Sequence, residues 1–442
     1  MKKHEIMSHI PQNSGARYDV IVAGGGPAGI GAAIASALRG ARTILIEGRA
    51  YFGGVPVVSH WMPMNRVLLN GGGRGGAHDV FVRHIKSLGE DAWREGAVGW
   101  VNGDNMDIHP DYHRLAVFNA LEEVGCDYLL HSPVVGAVMD SNRVVGVKVQ
   151  SKDGVALYYA HCVVDATGDA DVAYHAGAKM VKGRESDGHF MPVTLGFAIC
   201  NVDTDKFYAF IADGREKFRE IMDEADAEGY NVAVFYSFDR TTVPGAVSVN
   251  NGGIRRAGIV DGTNSRDLTY SERVGIEVAI DFVKIAREKK IPGMEQCYLM
   301  RVGADLGVRE TRRIVGDYTL TVEDVCNGTE FDDIIARRYG EIDPGGLSEE
   351  KDYSHSMKNG HAYPYRCMLP VGIEMLLVAG RCGSTTHLSQ AAGKSTGNMM
   401  ALGQAAGIAA AAAAASRITP RNVPVKDIQQ ALVDMGVSLF EP

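Results

Sequence analysis

Three glycines and one acid set the first chemical expectation. Gly24, Gly26 and Gly29 stand at G-x-G-x-x-G spacing in Gly24-Gly25-Gly26-Pro27-Ala28-Gly29. Glycine at the first step permits a tight turn, at the second lets backbone approach a pyrophosphate, and at the third lets a helix pack on a strand. Glu47 follows at about 20 residues, where a carboxylate can accept from ribose hydroxyls and disfavours a 2′-phosphate. The spacing does not choose between dinucleotides.

These residues need a strand before them, a helix after them and a second strand under the acid. Residues 18–23 (YDVIVA) are an apolar run suited to a buried parallel strand. Ile30, Ile34 and Leu38 recur at helical spacing, and Gly40 stands where the helix should stop. Residues 42–47 (RTILIE) form the next strand and end on Glu47. The helix N-terminus then offers N–H groups and a partial positive charge to phosphates. Two more apolar runs end in turns: VVDATG runs into Thr167-Gly168-Asp169, and MLLVA (375–379) into Gly380-Arg381.

Two helices are legible. Residues 270–290 form an amphipathic helix, with Val274, Val278 and Ile285 on the apolar stripe and Ile276, Ile280 and Val283 alongside. From Gly397 to Ala415 the chain is uncharged and has the length of a membrane span. It is mostly Ala and Gly with Gln404 inside, so a buried helix is expected.

The whole chain bounds the function class. Its 442 residues imply two or three domains. A net charge of −9 argues against nucleic acid or anionic membrane as the main partner. The seven scattered cysteines include no CxxC pair, which fits a reducing cytoplasm and argues against a disulfide framework, a zinc ribbon or a dithiol reductase. No His/Glu spacing points to a metal. The first residues, MKKHEIMSHIPQNSGAR, lack the apolar stretch of a secretory signal and read as a flexible arm over 1–16.

Four blocks carry a family resemblance: DVIVAGGGPAGIGAAIASALRGARTILIEGRAYFGG (19–54), HPDYHRLAVFNALEEVGCDYLLHSPVVGAVMDSNRVVGVKV with VVDATGDADVAYHAGA (109–149, 163–178), LGVRETRRIVGDYTLTVEDV (306–325) and MLLVAGRCGSTTHLSQAAGKSTGNMMALGQAAGIAAA (375–411). In this order the chain resembles the FAD-dependent oxidoreductases with a glutathione-reductase-type Rossmann domain, in a bacterial single-chain branch. Agreement is weakest between about 186 and 305. There is one dinucleotide fingerprint where disulfide reductases have two, their CxxxxC pair is missing, and the DG block of aromatic hydroxylases is not seen.

The resemblance implies an α/β protein: a Rossmann-type parallel-sheet FAD-binding domain with an inserted mixed-sheet α+β substrate domain. Residues 17–54, 106–185 and 365–416 would form the FAD domain, 55–105 and 186–364 the cover, and 417–442 a C-terminal tail. FAD would be held by Gly24, Gly26, Pro27, Ala28, Gly29, Glu47, Gly48, Arg49 and Gly54. Val134, Val135, Thr167, Gly168, Asp169, Gly380 and Arg381 would join them. Gly397 and Asn398 would bring a helix N-terminus to the flavin pyrimidine, where its dipole stabilises negative charge.

The activity implied is two-electron hydride transfer between flavin N5 and a small organic metabolite, with dehydrogenation leading. An alkene reductase and a flavin-binding subunit of a larger redox complex are the alternatives. The electron acceptor or donor is open, a homo-oligomer is possible, and a cytoplasmic place without a membrane span is expected. His387 is the acid/base candidate, or else a structural histidine capping the next helix. Arg309 and Arg366 would position substrate, Arg309 having ion pairing with Glu310 or Asp317 as its other reading. His60 and Arg74 flank or sit in NGGGRGG (70–76), read as a mobile cover or a plain surface loop. His361, Tyr363 and Tyr365 line a pocket or pack beneath the sheet. Cys382 is a small buried hydrophobe or a redox or flavin-attachment thiol.

Overall fold

The computed structural model describes residues 3–11, 15–59, 62–69, 72–96, 104–343 and 360–440. Strand Arg17–Ala23, whose Val20–Ala23 segment is fully buried, lies at the centre of a seven-stranded sheet. Thr43–Ile46 pairs parallel on one side and Gly154–Asp165 parallel on the other. Asp127–Leu129 extends the sheet beyond Thr43–Ile46. The twelve-residue strand Gly154–Asp165 changes partner along its length. Its first half pairs antiparallel with Arg143–Ser151, which continues to Val134–Asp140. Its last residues pair parallel with Leu376–Val378.

The registers bring four carboxyl ends level. Ala23 faces Ile46 and Asp165, and Asp165 faces Val378. The turns that begin at Gly24, Glu47, Ala166 and Ala379 therefore emerge side by side. In an open parallel sheet this end is where ligands bind.

Helix Pro27–Leu38 crosses helix Thr396–Ser416 with backbones in contact. A Cβ on Gly31, Gly403 or Gly407 would overlap the carbonyl oxygen of Met400, Ala28 or Ala32. That is why the second helix is Ala- and Gly-rich. It is long and apolar enough to cross a membrane, yet 78% of its apolar stretch is buried inside the protein.

A second apolar core holds residues between Val193 and Leu306. Its antiparallel sheet runs Tyr236–Arg240, Val247–Asn251, Phe197–Cys200, Tyr298–Val302. The amphipathic helix spans Ser265–Glu288 and starts five residues before the expected point, because the Asn264 side chain caps it. Val274, Val278, Val283 and Ile285 are buried with Phe282, whereas Ile276 and Ile280 face solvent.

Burial follows a partition different from the one expected. Met64, Val67, Phe81 and Ile85, assigned above to the cover, share the first core, as do Leu320, Ile335 and Tyr363. We propose that the covering unit is residues 193–306 alone. The arm is also tied down where it is described: Lys3–Ser8 is a helix, and Tyr128 donates its N–H to the His9 carbonyl at 2.9 Å. Past residue 416, helix Val425–Asp434 buries Ile428 and Leu432 in the first core.

Candidate functional site

The four level turns open into one cavity of about 1580 Å³. Ligand pockets run to ~300–1,000 Å³, so this one has room for a dinucleotide and a second molecule.

At one end, Gly24 has φ +98°, and a Cβ there would meet the Ala166 carbonyl oxygen at 2.5 Å. A Cβ on Gly29 would overlap the Gly24 carbonyl. A Cβ on Gly26 would meet no atom of the described residues within 4 Å, and Gly26 lines the cavity. It precedes helix Pro27–Leu38, whose N-terminus has no side-chain cap. Backbone N–H groups there are placed for an anion. Glu47 lines the cavity and pins the turn: Oε2 accepts from the Gly25 N–H at 2.6 Å and Oε1 from the Arg49 N–H at 2.7 Å. Arg49 pairs with Asp305 at 2.5 Å. Pro27, Ala28 and Gly54 also line the wall.

The next two turns are locked together. Asp165 is fully buried, and burial pushes its pKa up, against hydrogen bonds from Ala173 and Thr167 that hold it down. It accepts from the Thr167 hydroxyl at 2.7 Å and the Ala173 N–H at 2.9 Å. Gly168 (φ +81°) and Gly380 (φ +100°) take conformations that favour glycine. Arg381 Nη2 lies 2.6 Å from Asp169 Oδ1, and Arg381 Nη1 donates to the Val308 carbonyl at 2.8 Å. Thr167, Gly168, Asp169, Gly380 and Arg381 all line the cavity.

Farther along the wall, Lys394, Ser395, Thr396 and Met399 surround the start of helix Thr396–Ser416. The Ser395 Oγ and Thr396 Oγ1 atoms are buried without a hydrogen-bond partner among the described residues. Lys394 pairs with Asp343 at 2.9 Å. Arg309 is held in the wall by the Pro192 carbonyl at 2.7 Å, and burial lowers its pKa.

Another part of the lining is acidic and aromatic. Strand Tyr236–Arg240 supplies Tyr236, Phe238, Asp239 and Arg240, and helix Thr204–Asp213 supplies Tyr208. Asp107, only 2% exposed, comes from strand Met106–Ile108. Burial, with the Asp107 charge added, pushes the Asp239 carboxyl up to about 7. The Tyr208 hydroxyl and the Asn105 and Asn250 Oδ1 atoms are buried without partners among the described residues. Arg240 stacks 4.2 Å over the Tyr208 ring.

Several expected residues lie off this lining. Gly48 packs against Pro133, and Val134 and Val135 begin the adjacent strand, Val135 being exposed. Gly397 is pressed under the Arg66 carbonyl, and Asn398 donates to the carbonyls of Tyr339 (2.7 Å) and Gly393 (2.9 Å). His387 is fully buried behind the wall, its Nδ1 2.8 Å from Glu310, which also pairs with Arg313. Arg366 is half exposed and paired with Asp333 at 2.9 Å. His60 lies outside the described residues. Arg74 is buried and donates to the carbonyls of Arg66 (2.6 Å) and Arg337 (2.8 Å), a clamp in place of a mobile cover. His361, Tyr363 and Tyr365 are buried and do not line the cavity. Cys382 is fully buried, and burial drives its thiol pKa far up, as for an inert packing residue.

The cavity at the carboxyl ends of a parallel sheet, with glycine turns and an acid at its edge, defines a dinucleotide-binding α/β protein. The FAD dependent oxidoreductase family model matches residues 19–432, and the chain belongs to that family. It is 30% identical over 207 residues to a digeranylgeranylglycerophospholipid reductase of Picrophilus torridus, covering 43% of this chain and 49% of the relative. It is 34% identical over 96 residues to a 4-oxocyclohex-2-ene-1-carboxylate 5-dehydrogenase of Sinomonas cyclohexanicum, 21% of this chain and 16% of that one. The chain spans about half the length, or less, of these curated relatives. Among solved structures, a geranylgeranyl bacteriochlorophyll reductase-like protein from Thermoplasma acidophilum superposes with a TM-score of 0.50 at 16% identity, covering 94% of this chain and 82% of that one. That likeness shows the fold.

Proposed function

We propose that the chain oxidises a small polar metabolite at a carbon bearing a hydroxyl or amine group, with FAD as the two-electron acceptor. The residues present fit FAD. Gly24, Gly26 and the open helix start would take the pyrophosphate, and Glu47 the ribose. Thr167, Gly168, Asp169, Gly380 and Arg381 would border the chain that links pyrophosphate to ring. Ser395 and Thr396, with orphaned hydroxyls at a helix start, would meet the polar edge of the ring. Bound FAD supplies an electrophilic N5 that exchanges hydride with a substrate carbon.

One observation carries the substrate reading: the cavity lining also holds two carboxylates, Asp107 and Asp239, and a tyrosine hydroxyl, that of Tyr208, without a hydrogen-bond partner among the described residues. Such a wall accepts O–H and N–H donors, and oxidation of an alcohol or amine must shed one of those protons. It is a poor match for a long hydrocarbon chain, whose burial against charge is unfavourable. Arg309 and Lys394, on the same cavity, would hold an anionic group if the metabolite carries one.

Alkene reduction is the second reading, favoured by the reductase named among the relatives, which aligns over 43% of this chain. Anaerobic mixing of the FAD-loaded protein with a panel of hydroxy acids, polyols and amines tests the first. Bleaching of the flavin band by a member of the panel supports dehydrogenation. Its absence, with reoxidation of chemically bleached protein by activated alkenes, moves the function to the reductase.

A further inference from the structure

We propose that Asp239, which lines the cavity together with Asp107 and Tyr208, is the acid/base of the reaction, and that it takes the proton of the substrate hydroxyl or amine as hydride leaves the adjacent carbon. The assignment rests on the dehydrogenation reading above.

The geometry comes from three separate elements that meet on one wall. Asp239 lies near the end of strand Tyr236–Arg240. Hairpin strands Trp93–Glu95 and Met106–Ile108 bring Asp107 and Arg94, and Arg94 Nη1 reaches the Thr241 carbonyl at 3.4 Å, which ties the hairpin to the Asp239 strand. Helix Thr204–Asp213 brings Tyr208. All but Arg94 line the cavity.

The charges divide the roles. Arg94 lies 3.8 Å from Asp107. Arg240 is spent on the face of Tyr208. Asp239 is left against the Asp107 carboxylate, so burial and a like charge act on it in the same direction and bring its pKa to about 7. A general base works best when its pKa is near the working pH. Asp239 and Tyr208 line the same cavity, and the Asp239 charge acts on the Tyr208 phenol. Burial and the neighbouring acids keep the Tyr208 phenol protonated, so it can donate to the substrate heteroatom but cannot serve as the base.

The step balances. The substrate C–H bond breaks, and its electron pair leaves with the hydrogen to the FAD. The O–H or N–H bond breaks, and its proton forms an O–H bond on the Asp239 carboxylate. The electron pair left on oxygen or nitrogen becomes the new C=O or C=N bond, so the substrate loses two electrons and the FAD gains them.

The test uses the FAD-loaded full chain. In difference infrared spectra without substrate, the wild type should show a protonated-carboxyl band that disappears with a midpoint near pH 7. The band should vanish in Asp239→Asn and shift its midpoint down in Asp107→Asn, where the like charge is gone. With a compound that bleaches the wild type, the bleaching rate should rise through the same midpoint, then fall roughly 10²–10⁴-fold and lose that limb in Asp239→Asn. A titrating band unaffected by Asp239→Asn, or a pH limb that survives in that variant, overturns the assignment. If the band behaves as stated but no alcohol or amine bleaches the wild type, the dehydrogenation reading fails and takes the base role with it. Asp239→Glu, which keeps the acid, should recover part of the rate. An equally low rate in Asp239→Glu and Asp239→Asn with the same pH profile would mark a structural residue.

Discussion

Arg381 and Asp169 form an ion pair of 2.6 Å between two turns that leave the sheet from different strands. The pair keeps both turns at one height over the cavity, and the Arg381 guanidinium also lies 3.0 Å from where a Cβ of Gly168 would stand. Arg381→Ala removes a charge-assisted contact from the cavity wall while leaving the sheet intact. FAD affinity should fall about 10- to 100-fold, as loss of a hydrogen bond to a charged group generally costs. Fluorescence titration of flavin-free protein reads this directly; unchanged affinity would remove the turn pair from the cofactor site.

Gly26 and Gly403 should answer differently to the same change. A methyl on Gly26, which lines the cavity, meets no atom of the described residues within 4 Å, whereas one on Gly403 overlaps the Ala28 carbonyl. Gly26→Ala should fold with wild-type stability and bind FAD weakly. Gly403→Ala should force the two crossing helices apart and cost about 1–3 kcal/mol or more. Thermal melts of the flavin-free proteins separate the two, and similar melts for both would contradict the backbone-contact account.

The Asp239 carboxyl also makes a stability statement. Its folded pKa, about 7, lies above the unfolded value near ~3.9, so the folded state binds more protons between those limits. Stability should therefore fall as pH rises from about 4 through 7 and level off above. Asp239→Asn should be more stable than wild type at pH 8 by about 2–4 kcal/mol, a difference that fades below about pH 4. Denaturant melts across this range test it; a pH-independent difference would remove the titrating acid.

His387 is expected to act on the fold. Its Nδ1 meets Glu310 at 2.8 Å, Glu310 also pairs with Arg313 and accepts the Met191 N–H at 3.1 Å, and none of these three charged or polar side chains reaches solvent. His387→Ala leaves a buried carboxylate short of a partner and should cost about 1–3 kcal/mol. The pH limb of flavin bleaching should survive; its loss in this variant would return the acid/base role to His387.

What the sequence told and what it hid follow one physical distinction. The turn at Gly24–Gly29 and the acid at Glu47 are local: one strand, one turn, one helix and the next strand end fall within some thirty residues, so order along the chain is order in space. Asp107, Tyr208 and Asp239 lie on three elements far apart in sequence, and nothing near any of them marks the meeting. The same limit explains Arg74. Glycines around it read as a loose loop, but its guanidinium is fixed by carbonyls of Arg66 and Arg337, the second 263 positions away. Around Gly397 the helix was legible but its facing was not: Gly397 and Asn398 turn to Arg66 and Tyr339, and the preceding Ser395 and Thr396 meet the cavity. In the helix Ser265–Glu288, spacing alone put Ile276 and Ile280 beside the stripe, while packing buries Ala279, Phe282 and Ala286 instead.

The most direct measurement is the visible flavin spectrum of the FAD-loaded protein under anaerobic titration with hydroxy acids, polyols and amines. The account expects stoichiometric bleaching by at least one of them, faster above pH 7 than below. A flavin band that no member of the panel bleaches, in protein whose chemically bleached form is reoxidised by activated alkenes, would contradict it.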